Sequence, residues 1–154
     1  MSRRPKIAFI FTHQIQYFTN VLQALHDRGH VEIAVFYAHH TTGFKDRGFG
    51  RTIAWDNCLN TTFPAKVLAD SGKRPFHGFA SSFSTDLWRE LNAFEPDVVH
   101  LNGFAAAVQW VAWLWARAKH RLLVARGDGD TLSPTTGRLK PAAQWLSRRF
   151  CGGL

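Results

Sequence analysis

Apolar positions along the chain fall in short blocks, and the spacing within each block names the element it forms. Lys6 to Phe11 is a compact apolar run that stops at Thr12, the pattern of a buried strand. Ile15, Phe18, Val21, Leu22 and Leu25 then recur at helical spacing, and Gly29 supplies a stop, which predicts a helix from Ile15 to Arg28. Val31 to Tyr37 is rich in β-formers, so the chain opens as strand, helix, strand, a βαβ unit with a right-handed crossover. A polar, glycine-bearing stretch from His39 to Pro64 follows, and AKVLA (Ala65 to Ala69) predicts a third strand.

The second half repeats the alternation. Ser84 to Asp86 offer a helix cap, with Leu87, Leu91 and Phe94 on one face of the short helix behind it. Asp97 to Leu101 reads as a buried strand of the parallel type, and Asn102 and Gly103 turn the chain into Phe104 to Ala118, apolar nearly all round. Arg121 to Ala125 predicts a further strand, and Arg138 to Phe150 a basic amphipathic helix. Strands alternating with helices predict an α/β, Rossmann-like three-layer sandwich with a mainly parallel sheet. The tryptophan-rich run FAAAVQWVAWLWA is about thirteen residues, against roughly twenty needed to cross a bilayer, and is read as a buried crossover helix.

Composition narrows the class. With 154 residues and 45% hydrophobic content the chain can bury one core, so a single domain spanning 1–154 is expected. Cys58 and Cys151 are too few for a disulfide framework and too far apart for a paired metal spacing, which fits a reducing compartment. The basic start MSRRPK is followed by an apolar run too short for a signal peptide, so a cytoplasmic location is expected. A formal charge of +8 and a pI near 10.2 ask for a negatively charged partner: nucleic acid, an anionic membrane face or a phosphorylated substrate. Nucleic acid is disfavoured, because the chain has neither a basic helix with base-reading residues nor an aromatic sheet signature.

Ligands of open α/β sheets bind outside the carboxyl ends of the strands. Four polar or glycine-bearing stretches fall there: Thr12 to Gln16, His39 to Asp56, Asn102 to Phe104 and Arg126 to Thr131. None contains G-x-G-x-x-G or a Walker sequence, which argues against dinucleotide or Walker-type nucleotide binding. The first turn offers instead the imidazole of His13 and the backbone N–H groups of a helix start, suited to hydroxyls or anions. No metal site is expected. Gly29 stands between His26 and His30, His39 and His40 alternate in direction, and Asp128-Gly129-Asp130 reads as a glycine turn.

Taken in order, KIAFIFTHQIQYFTNVLQALHDRGHVEIAVFYA, GFGRTIAWD, PDVVHLNGF and Arg126-Gly127-Asp128 resemble the N-terminal domain of family 4 glycosyltransferases with the GT-B fold, over nearly the whole chain. The resemblance implies two Rossmann-like domains across a cleft, the N-terminal one binding the acceptor and the C-terminal one the nucleotide sugar. It implies metal-independent sugar transfer to a hydroxyl of a glycan or lipid-linked acceptor, in cell-surface polysaccharide synthesis, with peripheral contact to an anionic membrane. His13 would be catalytic, and Gln14 and Gln16 would line the acceptor side. Gly48, Phe49, Gly50, Arg51, Trp55 and Asp56 would form a loop over it, and Asn102, Gly103, Arg126, Gly127 and Asp128 would complete the floor. The family commonly has proline after the histidine, where Gln14 stands here. The family's donor domain, with its paired glutamates, has no counterpart in these residues, so no cofactor is expected and a nucleotide-sugar donor only with that domain. The expectation is an acceptor domain inactive by itself; the alternative is a non-catalytic, stand-alone ligand- or partner-binding module.

Overall fold

The protein is seen in a computed structural model that describes residues 3–40, 61–71 and 78–126. Strands β1 (Lys6–Phe11), β2 (Glu32–Tyr37), β3 (Ala65–Val67), β4 (Val98–Asn102) and β5 (Leu122–Arg126) form one parallel sheet in the order β3-β2-β1-β4-β5. Helices α1 (Gln16–Asp27), α2 (Asp86–Phe94) and α3 (Ala107–Ala118) and a 3₁₀ turn (Phe79–Ser82) complete the described elements. The predicted α/β class and parallel sheet are those observed.

Side chains alternate across a strand, and here the alternation divides the core in two. Ala8, Ile10, Val99 and Leu101 pack with Leu87, Leu91, Val108, Ala112 and Trp115 of α2 and α3. Phe11, Ile33 and Val35 pack on the other face with Phe18, Leu22 and Leu25 of α1. Three layers result. Trp115 is fully buried, and its indole N–H donates to Asn92 Oδ1 at 3.0 Å, which satisfies its one polar atom and ties α3 to α2. On the α1 face of the sheet β5 turns Leu122 and Val124 outward, 50% and 45% exposed.

β1 is the hinge of the sheet. It pairs with β2 from Lys6 with Glu32 to Phe11 with Tyr37, and with β4 from Ile7 with Val98 to Ile10 with Leu101. The carboxylate of Asp97 fastens the amino edge of the β1–β4 pair, accepting from the Lys6 backbone N–H at 2.8 Å and from the Arg3 guanidinium at 2.5 Å.

Several boundaries differ from the sequence reading: α1 is one residue shorter at each end, β2 begins at Glu32 and β3 ends at Val67. β4 and β5 each lie one residue further along than predicted, because pairing continues to the rung of Asn102 with Arg126. Helix α3 starts at Ala107, three residues after the predicted Phe104. Gln109, 2% exposed, holds the preceding turn open: its Oε1 accepts from the Ala106 N–H at 3.0 Å and its Nε2 donates to the Asn102 carbonyl at 2.6 Å. At α2 the cap is only partly local. Ser84 Oγ accepts from the Leu87 N–H at 3.3 Å, while Asp70, from the segment after β3, takes the N–H of Thr85 at 2.8 Å. The predicted glycine stop is seen: Gly29, whose φ of +64° lies in the left-handed region, follows the C-cap residue Arg28. The basic stretch 138–150 lies outside the described residues. No described helix is long and apolar enough to cross a membrane.

Candidate functional site

β1 connects through α1 to β2 on one side of it, while β4 connects through α3 to β5 on the other. At such a switch point the two turns diverge and leave a crevice at the carboxyl edge of the sheet. The turn after β1 and the turn after β4 form its two lips.

The first lip is anchored by pairing that runs beyond β1. The Ala38 N–H donates to the Phe11 carbonyl at 3.1 Å and the His39 N–H to the Thr12 carbonyl at 2.8 Å, so the chain is free to turn only from His13. His13 and Gln14 are half-buried there, and Gln16 is exposed as the first residue of α1. The Thr12 hydroxyl and His13 Nδ1 lie 3.0 Å apart, a hydrogen bond that sets the pivot of the imidazole. Ile15 stands at the N-cap of α1 and has no side-chain oxygen with which to cap; no acidic residue follows in the first turn. The positive end of α1 therefore opens on the crevice without a local carboxylate, whereas the start of α2 carries Asp70.

Asn102 and Gly103 make the second lip. Gly103 has φ of +91°, a conformation that glycine adopts without strain and other residues do not. Gln109 grips the Asn102 carbonyl from behind, and the Trp110 indole N–H donates to the Phe104 carbonyl at 2.9 Å. Both bonds tie the turn to the first residues of α3. Asn102 Oδ1 is buried and has no hydrogen-bond partner among the described residues.

Arg126 ends β5 opposite Asn102 and reaches back over α1, its guanidinium carbon 4.9 Å from the centroid of the Phe18 ring. Beneath it, on the same face of β4 as Asn102, stands His100, whose ring lies 5.0 Å from that of Phe9. Burial lowers the His100 pKa below the ordinary imidazole value, and the charge of Arg126 lowers it further. Both effects favour the neutral imidazole. His100 was absent from the sequence reading; the alternation that points Asn102 to the crevice points the residue two before it the same way, and that signal was available.

The structure thus brings His13, Gln14 and Gln16 to one lip of the crevice and Asn102, Gly103 and Arg126 to the other. Gly48, Phe49, Gly50, Arg51, Trp55, Asp56, Gly127 and Asp128 lie outside the described residues. Among the described residues no group of three or more His, Cys, Asp or Glu side chains gathers as a metal would require.

A parallel, doubly wound sheet with polar turns at its switch point is the architecture in which α/β domains commonly hold ligands. The chain belongs to the glycosyl transferase 4-like domain family, whose model matches residues 14–153. The match includes both lips of the crevice from Gln14 onward and agrees with the family 4 N-terminal-domain resemblance read from the sequence. No curated protein and no solved structure matches the chain at the threshold applied.

Proposed function

We propose that this domain holds the acceptor hydroxyl of a glycosyl transfer, in a reaction that moves a sugar from a nucleotide sugar to a glycan or a lipid-linked glycan. The observation that carries the reading is the gathering of His13, Gln14, Asn102 and Arg126 at the switch-point crevice of a chain in the glycosyl transferase 4-like family. Polar groups held on turns suit a polyhydroxylated ligand. The crevice lacks a glycine-rich phosphate loop, which favours the acceptor over the nucleotide.

The chemistry then follows from position. In a transition state of oxocarbenium character, the acceptor oxygen must be held near the anomeric carbon, and such positioning can contribute roughly 7–11 kcal/mol. His13, its pivot set by Thr12, bonds the reacting or a neighbouring hydroxyl, and Gln14 and Asn102 orient the others. The donor diphosphate is gripped by a second domain of the kind that the family resemblance implies.

The test is a backbone NMR titration of residues 1–154 with a panel of mono- and oligosaccharides and, separately, nucleotide sugars. Saccharides are expected to shift the amides of His13 to Gln16 and of Asn102 to Phe104. Shifts from nucleotide sugars alone, or saccharide shifts confined to other edges of the sheet, would reject the acceptor role.

A further inference from the structure

We propose that Tyr17, at the mouth of the crevice, is a stacking platform that takes the C–H face of a sugar ring of the acceptor. The inference rests on the acceptor reading above and narrows it: the ligand is a saccharide with a pyranose ring beside the crevice, and not a simple polyol or lipid alcohol.

The first support is where the ring stands and what it stands on. Tyr17 is the second residue of α1, directly after Gln16 on the first lip, and it is 61% exposed. Its ring lies 4.9 Å from that of Phe18, Phe18 lies 5.1 Å from Phe11 of β1, and Phe11 stacks at 6.0 Å on Tyr37 of β2. An aromatic ladder thus descends from the lip into the core, where Phe11 is fully buried. A ring seated on such a ladder is confined before a ligand arrives, so little side-chain freedom is lost on binding. Arg126, from the second lip, lies over the same Phe18 ring, so Tyr17 leans on the residue where the two lips meet.

The second support is the chemistry on offer. An exposed tyrosine is ordinary by itself, but the other exposed aromatics among the described residues, Phe79 and Phe83, lie at the 3₁₀ turn that packs against α3; Tyr17 is the one beside the crevice. A pyranose carries its hydroxyls round the ring edge and its C–H groups on the faces. Such a face meets the electron-rich face of a phenol, while the edge stays free for hydrogen bonds. The Tyr17 hydroxyl has no hydrogen-bond partner among the described residues and offers a donor and an acceptor to that edge. Across the crevice, Asn102 Oδ1 is a buried acceptor without a partner among the described residues, and it asks for an O–H donor. A saccharide meets both demands at once, with an apolar face for the platform and hydroxyls for the floor.

The tyrosine ring resonances of residues 1–154 supply the test, because the chain has 2 tyrosines and the buried Tyr37 serves as the internal reference. The probes are methyl β-glucopyranoside, methyl β-galactopyranoside and cellobiose, with glycerol as a polyol that has hydroxyls but no ring face. Saturable shifts of the Tyr17 ring with at least one saccharide, upfield shifts of that saccharide's C–H protons, and no response to glycerol are expected. Tyr17→Ala should weaken saccharide binding roughly three- to tenfold and Tyr17→Phe should keep most of it. Val21→Ala, at an exposed apolar position one turn further along α1, should leave binding unchanged. A Tyr17 ring indifferent to every saccharide overturns the proposal, as does an equal response to glycerol or equal weakening by Tyr17→Ala and Val21→Ala. If Tyr17→Ala does not fold, Tyr17→Phe and the wild-type titration decide. Saccharide shifts at His13 and Asn102 with a silent Tyr17 would sink the platform and leave the acceptor reading standing; Tyr17 shifts without any at His13 or Asn102 would do the reverse.

Discussion

Ser84 Oγ donates to Asp70 Oδ1 at 2.5 Å, and through that contact one carboxylate organises the whole start of α2. The same carboxylate takes the N–H groups of Ser71 at 2.8 Å and Thr85 at 2.8 Å. Burial works to raise the Asp70 pKa, but the bonds from Ser84, Thr85, Asp86 and Ser71 together outweigh it and hold the carboxyl below its ordinary range. A depressed folded pKa gives stability that is complete above the unfolded value, near about 3.9, and is lost as pH falls through the folded value. Asp70→Asn should cost about 1–2 kcal/mol at pH 7, in the range of a lost cap, and should flatten the acid limb of the stability curve. Urea unfolding at pH 7 and pH 3 measures both, and an unchanged acid limb would assign the pH dependence elsewhere.

Gln109→Leu keeps the side-chain volume near the original but strands the Ala106 N–H and the Asn102 carbonyl. With each orphaned group costing about 1–3 kcal/mol, a loss of roughly 2–4 kcal/mol in urea unfolding is expected. Gly103→Ala acts at the same turn by a different route. Its Cβ would meet the Arg126 carbonyl at an ordinary 3.9 Å, so the cost, about 1–3 kcal/mol, comes from φ of +91° and not from crowding. Both variants should also blur the saccharide-induced shifts at Asn102.

His13→Ala separates function from stability. The ring is half-buried in the turn after β1, outside the core clusters, so unfolding should shift by about 1 kcal/mol or less. Saccharide binding to residues 1–154 should weaken at least severalfold. Joined to a donor-binding domain, the same substitution should lower sugar transfer far more than it lowers stability, whereas residues 1–154 by themselves should transfer no sugar from any nucleotide sugar tested. A fall in activity that merely tracks unfolding would make His13 structural.

The net charge of +8 predicts selective binding to anionic bilayers. Lys and Arg near such a surface contribute about 1 kcal/mol each, so sedimentation with phosphatidylserine-containing vesicles should exceed that with neutral vesicles and fall with salt. Equal partitioning would remove the membrane from the account of this charge.

What the sequence revealed follows the range over which each feature is determined. β1 and α1 are legible because the strand run and the helical stripe from Ile15 to Leu25 are local patterns that the tertiary structure only confirms. The start of α3 was missed by three residues because a buried glutamine reaching back to Asn102 looks, in a one-dimensional pattern, like one more helical position. The cap of α2 was half legible: Ser84 is adjacent, but Asp70 lies 14 residues away, beyond local motif reading. Of the candidate site, His13 and Asn102 could be placed by their positions after strands. The juxtaposition of His100, Arg126 and Phe18 could not, since it depends on three elements meeting at the switch point.

The bond between Lys6 and Asp97 spans 91 residues of chain. At a synthesis rate of about 5–20 residues per second, the centre of the sheet waits roughly 5–18 s for the neighbour that completes it. During that interval β1, α1 and β2 can form their local βαβ unit, but Ala8 and Ile10 have no β4 beside them and no α3 above them. The nascent chain thus carries an uncovered apolar face on its first-made unit. Such transiently exposed apolar surface is prone to aggregate until β4 and α3 cover it.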